Sequence, residues 1–505
     1  MYSIGIDVGT TNCKVCVYRL PDFALVDKQS FPTPKIETEY GADFDIHALW
    51  QGVVASLAAV AAAVDAPQEI ASIAVASVGE AGVLLDAEDQ IIGPVMTWYD
   101  SRTQPQHEAV VNRLGEANLY EVTGIPAHSN YSLNKILWLL AHTQTTSAAS
   151  WLCLAEYLAF RLSGVKRAEY SLASRTLAFD MQAGEWSEKI CHALSLPVGL
   201  FSPLVNAGEP IGTLLAGLAE QTAIPATAKI AIAGHDHMCG SVAAGIRDEG
   251  QILNSTGTTE GLLVVRSQPA TTPDYFRARV SNGRHVLSGA YTFYASLPSA
   301  GYAIEWFRTL FGLGAAEFSA MTQRLVQAGA AERPQERFLI PHLRGSGPPK
   351  RSIFARGMIY GIDEHSGPEA LLSALFHGLC FELKLLLETY ESLTGHHWPA
   401  IMVIGAACQN PYWLQLKANI LNREIVACSL PEAVSLGAAI IGARGAGLWA
   451  GEHHLPEGAL IRYRPDSSVS RFQAIYTRLY LPLYNAKSHI ETPTGQDDES
   501  QRLLP

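Results

Sequence analysis

Apolar and polar positions alternate in the same way at two places in the chain. Near the start, Ile4-Gly5-Ile6-Asp7-Val8 leads into Gly9-Thr10-Thr11-Asn12 and on through residues 13–18. Near the middle, Ile252-Leu253-Asn254-Ser255-Thr256 leads into Gly257-Thr258-Thr259-Glu260 and on through residues 261–265. Each pattern predicts strand, tight polar turn, strand, with the glycine permitting the turn. The two Gly-Thr-Thr triplets lie about half the chain apart, which predicts two similar halves with their turns facing across a cleft. Elsewhere short apolar runs at 69–75, 229–233 and 401–404 predict buried strands. Segments 133–141, 368–393 and 433–443 have helix length and spacing. The alternation is that of an α/β protein. It resets at 245–250, so the expected division is 1–247, 248–485 and a polar tail from Ala486.

Composition narrows the function classes. With 505 residues, 48% hydrophobic and 17% charged, the chain has material for two or three cores. A net charge of −12 argues against a nucleic-acid binder, which needs a basic face to neutralise phosphates. The longest charge-free alanine-rich stretch, 49–64, is too short and too weakly apolar to cross ~30 Å of hydrocarbon, and reads as a buried or half-buried helix. No membrane association and no signal peptide are expected. Among the eight cysteines only Cys13 and Cys16 form a C-x-x-C, and the alternation around them is that of a strand. A reducing cytoplasm fits this usage.

The candidate chemistry lies at strand ends. Turn amides and hydroxyls at Thr10, Thr11, Gly257 and Thr258 suit phosphate oxygens, with Lys14 in reach as a point charge. Asp7, ending the first strand, suits Mg²⁺ beside those phosphates. The chain has no Gly-Lys dipeptide, which excludes a P-loop. Gly445-Ala446-Gly447 follows a helical run and reads as a helix end, not a dinucleotide motif. After the strand at 229–233 comes Gly234-His235-Asp236-His237-Met238-Cys239-Gly240, where open α/β sheets place their ligands. Asp236 there can accept a proton from an attacking hydroxyl, cap the next helix, or join His235, His237 and Cys239 around a metal. Glu80, Trp98 and the Asp100–Arg102 pair form a third cluster. An acid beside an aromatic wall suits a polyol, and a core tryptophan with a structural ion pair suits the same residues.

Taken together, these segments resemble the FGGY carbohydrate kinases over about residues 1 to 450. Gly5 to Thr11 is similar to the first phosphate motif, Gly234-His235-Asp236 to the segment with the catalytic aspartate, and Ser255 to Thr258 to the second phosphate motif. Gly405-Ala406-Ala407-Cys408-Gln409-Asn410 resembles the adenosine loop, and Glu432 to Ala439 the helix after it. The resemblance implies two actin-like (ribonuclease H-like) domains with ATP and Mg²⁺ in the cleft, metal carboxylates at Asp7 and Asp236, and nucleotide contacts from Gly405, Ala406 and Asn410. It also implies Asp236 as general base, a sugar or polyol held by Glu80, Trp98, Asp236, His237 and Asn130, and a homodimer. Ala406 and Ala407 replace two glycines usual in the loop, and Glu80 follows Gly79 where other members have methionine or arginine. A ketopentose such as xylulose is the first expectation, ahead of other ketoses, polyols and sugar acids. A sugar-binding regulator derived from a kinase and an actin-like nucleotide switch are the alternatives.

Overall fold

A computed structural model of the chain describes residues 1–143, 148–455 and 458–491. β1 (Tyr2–Val8) turns through Gly9–Thr11 into β2 (Asn12–Arg19), and β3 (Ala24–Pro32) extends the meander. After α1 (Ile46–Ala62) the chain returns as β4 (Ile70–Ser77), parallel to β1. Then follow α2 (Ser132–His142), α3 (Leu154–Ser163), β5 (Pro210–Thr213), β6 (Lys229–His235) and α4 (Asp236–Ala243). The first sheet runs β5-β6-β4-β1-β2-β3.

The second half repeats the plan. β7 (Ile252–Thr256) turns into β8 (Glu260–Arg266), followed by β9 (Ser281–Arg284), β10 (Tyr291–Leu297) and α5 (Gly301–Leu310). Next come α6 (Pro368–Thr394), β11 (Ala400–Gly405), α7 (Pro411–Leu421), β12 (Glu424–Cys428), α8 (Ala433–Gly445), β13 (Leu460–Tyr463) and α9 (Leu481–Glu491). Its sheet runs β9-β10-β8-β7-β11-β12-β13. In both halves the opening strand pairs antiparallel with the next and parallel with the one that follows the crossover. The likeness that the two Gly-Thr-Thr turns announced is therefore one of sheet topology.

Strand alternation sorts the side chains into layers. Ile4, Ile6 and Val8 of β1 face out, into a core with Leu49, Val53 and Leu57 of α1 and Leu158 and Leu162 of α3. The inner face carries small residues, Gly5 and then Ala74, Ala76, Ala231 and Ala233 from β4 and β6. Against that face lies α8, which comes from the second half of the sequence; α4 packs beside it and meets Leu253, Leu263 and Val265 of the second sheet. The order is helices, sheet, a central pair of helices, sheet, helices. On the far side α6 is long and apolar enough to span a bilayer, yet Leu372, Leu375, Phe376, Leu379 and Leu383 are sealed in the second core, as in an ordinary core helix.

The central layer depends on missing side chains. A Cβ on Gly437 of α8 would stand 1.8 Å from the carbonyl oxygen of Cys239 in α4, and one on Gly5 would stand 1.9 Å from that of Ser435. Ser3 Oγ bonds the Ala439 carbonyl at 3.0 Å and Tyr18 OH meets Ser435 Oγ at 2.9 Å, fixing α8 along β1 and β2.

The segment expected to be a polar tail from Ala486 is helical through Glu491. Lys487 is buried, meeting His342 Nδ1 at 3.0 Å and Glu491 Oε2 at 2.6 Å, and Glu491 accepts from the Arg356 amide. Residues 492–505 lie outside the described residues.

Overpacking a core with a methylene costs about 1–3 kcal/mol, and here the obstacle is backbone. Gly437→Ala is therefore expected to lose at least that much stability in urea unfolding. Gly217→Ala, whose Cβ meets nothing within 4 Å, is expected to be neutral or stabilising. Equal behaviour of the two would refute the close-contact account.

Candidate active site

Asp236 opens α4 directly after β6, with His235 in the N-cap position. The capping alternative is thus partly met by its neighbour: the His237 amide reaches Asp236 Oδ1 at 2.6 Å and His235 Nδ1 at 3.3 Å. His235 Nδ1 also lies 2.8 Å from Asp236 Oδ1. Burial alone would raise the Asp236 carboxyl, but His237, His235 and these hydrogen bonds outweigh it and hold the group at about 2. The metal alternative does not assemble, because Cys239 turns into the core and bonds the Ala233 carbonyl. Among the described residues no three His, Cys, Asp or Glu side chains gather as a metal cluster.

Asp7 is next to last in β1, on the same face as Gly5 and within the field of Asp236. Burial pushes its carboxyl up to about 7, and the Asp236 charge pushes further in the same direction. Two buried carboxylates that repel each other make a place where a cation is favourable. That donor set suits Mg²⁺, which binds through one or two carboxylates and completes its shell with water and phosphate oxygens.

The first turn is tied to the sugar-side cluster. Trp98 donates from Nε1 to Thr10 Oγ1 at 2.9 Å, so its indole stands as a half-buried wall beside the turn. Thr11 is exposed, and its carbonyl accepts from the Thr33 amide at 2.9 Å. Lys14 on β2 is not free: it pairs with Glu432 Oε2 at 2.7 Å, and Lys28 takes Oε1 at 3.0 Å. Burial disfavours the Lys14 charge, but Glu432 and Asp7 more than restore it.

The second turn sits on the start of α5. The Gly301 amide donates to the Gly257 carbonyl at 3.0 Å and the Tyr302 amide to Thr258 at 3.1 Å. Beside it, β7 pairs with β11 so that Thr256 faces Gly405. Gly405 has φ 91°, and a Cβ there would stand 2.2 Å from the Thr256 carbonyl oxygen. Ala406 is exposed, whereas Ala407 is fully buried in the second core. Only one of the two methyl groups that replace the loop's usual glycines therefore lies on its open side. Asn410 uses its side-chain oxygen to cap α7, accepting from the Trp413 amide at 3.1 Å.

In the third cluster Glu80 is buried and has a partner that the sequence pattern did not reveal. Arg175 donates to Glu80 Oε1 through Nε at 2.7 Å and approaches it with Nη2 at 2.5 Å. Arg175, His235 and His237 line a narrow cavity together with Tyr294, which reaches over from β10. Burial lowers the His237 imidazole below its ordinary value, and its Nδ1 has no hydrogen-bond partner among the described residues. Asn130 bonds His128 Nδ1 at 2.7 Å, and its carbonyl accepts from buried Lys135. Asp100 and Arg102 form a buried structural pair with Asp43, bonded at 2.7–2.9 Å. Arg175, Tyr294 and Glu432 stand in no recognisable spacing to their partners, which are brought near only by the folded layers.

Comparison with known proteins decides what this arrangement serves. The profile of the FGGY family of carbohydrate kinases, N-terminal domain, matches residues 2–243, and that of the C-terminal domain matches residues 252–446. The chain belongs to the FGGY family of carbohydrate kinases. As an FGGY kinase it is a phosphotransferase that uses ATP and an alcohol group of a carbohydrate as acceptor. It is 26% identical to the xylulose kinase of Bacillus subtilis (strain 168), over 97% of this chain and 98% of that one. It is 27% identical to the glycerol kinase of Citrifermentans bemidjiense (strain ATCC BAA-1014 / DSM 16622 / JCM 12645 / Bem), over 88% and 90%. Its fold matches the crystal structure of gluconate kinase from Lactobacillus acidophilus with a TM-score of 0.87 at 21% identity, over 96% and 98%. The two-domain architecture of this kinase is that of the family.

The raised Asp7 carboxyl gives a stability prediction whose sign is fixed. Its folded value lies above its unfolded one, so the folded state holds the extra proton, and ionising Asp7 costs stability as pH rises from about 4 to about 7. With a chelator present, Asp7→Asn is expected to melt above the unsubstituted protein at pH ~8, the gap closing toward pH ~4. A gap that is constant with pH, or that widens on acidification, would show that Asp7 is not the strained carboxyl.

Proposed function

We propose that this FGGY kinase transfers the γ-phosphoryl group of ATP to a hydroxyl of an open-chain ketose or polyol, with Asp236 as general base. The observation that carries this reading is the position of Asp236: at the start of α4 its charge raises the Asp7 carboxyl, and it accepts from the amide of His237, whose ring feels Glu80. A carboxylate held at about 2 is ionised throughout the physiological range, so it can accept the proton of an attacking hydroxyl without first losing one of its own. The weak basicity of such a group suits phosphoryl transfer, where positioning and charge stabilisation supply most of the rate.

In this reading the Thr10–Thr11 and Gly257–Thr258 turns hold phosphate oxygens from opposite sides, and Gly405, Ala406 and Asn410 border the adenosine. Asp7 and Asp236 would hold Mg²⁺, which when bound would offset the charge of the phosphate oxygens. Residues 1–247 carry the sugar and the base, and 248–485 carry most of the nucleotide. Trp98 faces the C–H side of the sugar, and its bond to Thr10 ties that wall to the first turn. Xylulose is the first compound to test, because a xylulose kinase is among the relatives matched along nearly the whole chain. A homodimer in a reducing compartment is the expected setting.

The test is a coupled ADP-release assay with ATP and Mg²⁺ across pentuloses, hexuloses, polyols and sugar acids. One compound should raise turnover well above the sugar-free rate, and Asp236→Ala should cut that turnover by about 10²–10⁴-fold. Full turnover in the variant would remove Asp236 from the role of base; a flat panel with ATP still bound would overturn the proposed acceptor class.

A further inference from the structure

The Arg175–Glu80 pair extends this reading of the sugar site, on which the inference below rests. Glu80 is held in an unusual way. Its φ is 64°, in the left-handed region that a side chain other than glycine seldom occupies, and its side chain is only 7% exposed. The backbone is fixed there by Ser132 Oγ, which donates to the Glu80 carbonyl at 3.1 Å, and by the Ala81 amide, which donates to Gly79 at 2.8 Å. Such a conformation persists only where the surroundings over-determine it.

The carboxylate is held unevenly. Arg175 brings both Nε and Nη2 to Oε1, at 2.7 and 2.5 Å. Oε2 accepts no hydrogen bond among the described residues and is not sealed off as a buried orphan. Arg175 has its own seat: its guanidinium lies over the Tyr131 ring at 5.2 Å, and its side chain is 13% exposed. The residue before Glu80 leaves the room required. A Cβ on Gly79 would come 2.9 Å from His235 Cδ2 and 3.4 Å from Arg175 Cγ, so Gly79 admits the arginine beside the segment that carries Asp236. A Glu80 without its arginine would be a buried carboxylate lacking its bonded cation.

We propose that Arg175 is a positioning residue that sets what the sugar site recognises: by occupying Oε1 of Glu80 it presents Oε2 as a fixed acceptor. An acceptor at that point takes a hydroxyl, which donates, and rejects a carboxylate, which can only accept and would carry a like charge. The substrate class is therefore a neutral polyhydroxy compound with a free hydroxyl facing Glu80, and an acidic sugar is disfavoured at that position. The expected size follows from the bond: a hydrogen bond to a charged group contributes about 1.5–3 kcal/mol, or about ten- to a hundredfold in affinity.

The experiment uses the full chain and two matched pairs, xylulose with xylonate and glycerol with glycerate, read by ADP release and by titration calorimetry. The unsubstituted enzyme should favour the neutral member of each pair at least about tenfold. Arg175→Gln should raise the KM for the preferred neutral compound about tenfold or more while moving kcat much less, with partial recovery in Arg175→Lys. Glu80→Gln should narrow the gap between neutral and acidic members, and Arg175→Gln placed on Glu80→Gln should add little, because the two act as one unit. The KM for ATP serves as the check that each variant is folded; if Arg175→Gln fails it, Arg175→Lys and Glu80→Gln decide. Preference for the acidic member, no binding of either member, or strictly additive losses would overturn the inference. A lack of turnover accompanied by calorimetric preference for the neutral member would instead fault the proposed reaction and leave the role of Arg175 standing.

Discussion

Two helices meet backbone to backbone at the centre of this kinase, and the candidate catalytic residues hang from that contact. Gly437 of α8 lies against the Cys239 carbonyl of α4, and Ser435 against Gly5 of β1. Asp236 is the first residue of one of these helices, Glu432 stands at the N-cap position of the other, and Asp7 is next to last in the strand they flank. A separation larger by a single methyl group would move Asp236, Glu432 and Asp7 relative to one another. The alanines of β4 and β6 serve the same end, keeping the inner face of the first sheet flat enough for α8 to lie close.

The electrostatics of the site follow from that closeness. Asp7 and Asp236 are both buried and share one field, yet they are driven in opposite directions, up to about 7 and down to about 2. The difference comes from neighbours: Asp236 has two histidines and an amide, while the cation nearest Asp7, Lys14, is shared with Glu432. A pair of carboxyls pushed apart in this way is what a site needs if one is to stay ionised while the other waits for a counter-charge.

Sequence reading recovered what is local. The two hairpins, the strand before Asp236 and the helix at 133–141 depend on alternation and turn residues within a few positions, and the strands and helices appear where those signals put them. What it missed is non-local. Nothing near Glu80 points to Arg175, nothing near Lys14 points to Glu432, and no spacing says that a helix from the second half covers the first sheet. Ala406 and Ala407 look equivalent in sequence, as two alanines in place of glycines, but the short helical turn there rotates Ala407 into the core. The polar composition after Ala486 hid a helix whose Lys487 is satisfied by His342.

The placement of α8 bears on how the chain comes into being. During synthesis the strands of the first sheet emerge early and can pair at once, but the helix that covers their inner face is made only after nearly all of the second half. Until then β1, β4 and β6 present a strip of glycine and alanine to whatever is nearby, and Asp7 and Asp236 sit at an open surface. Assembly is therefore gated by the last third of the polypeptide, and the catalytic centre cannot exist as a nascent fragment.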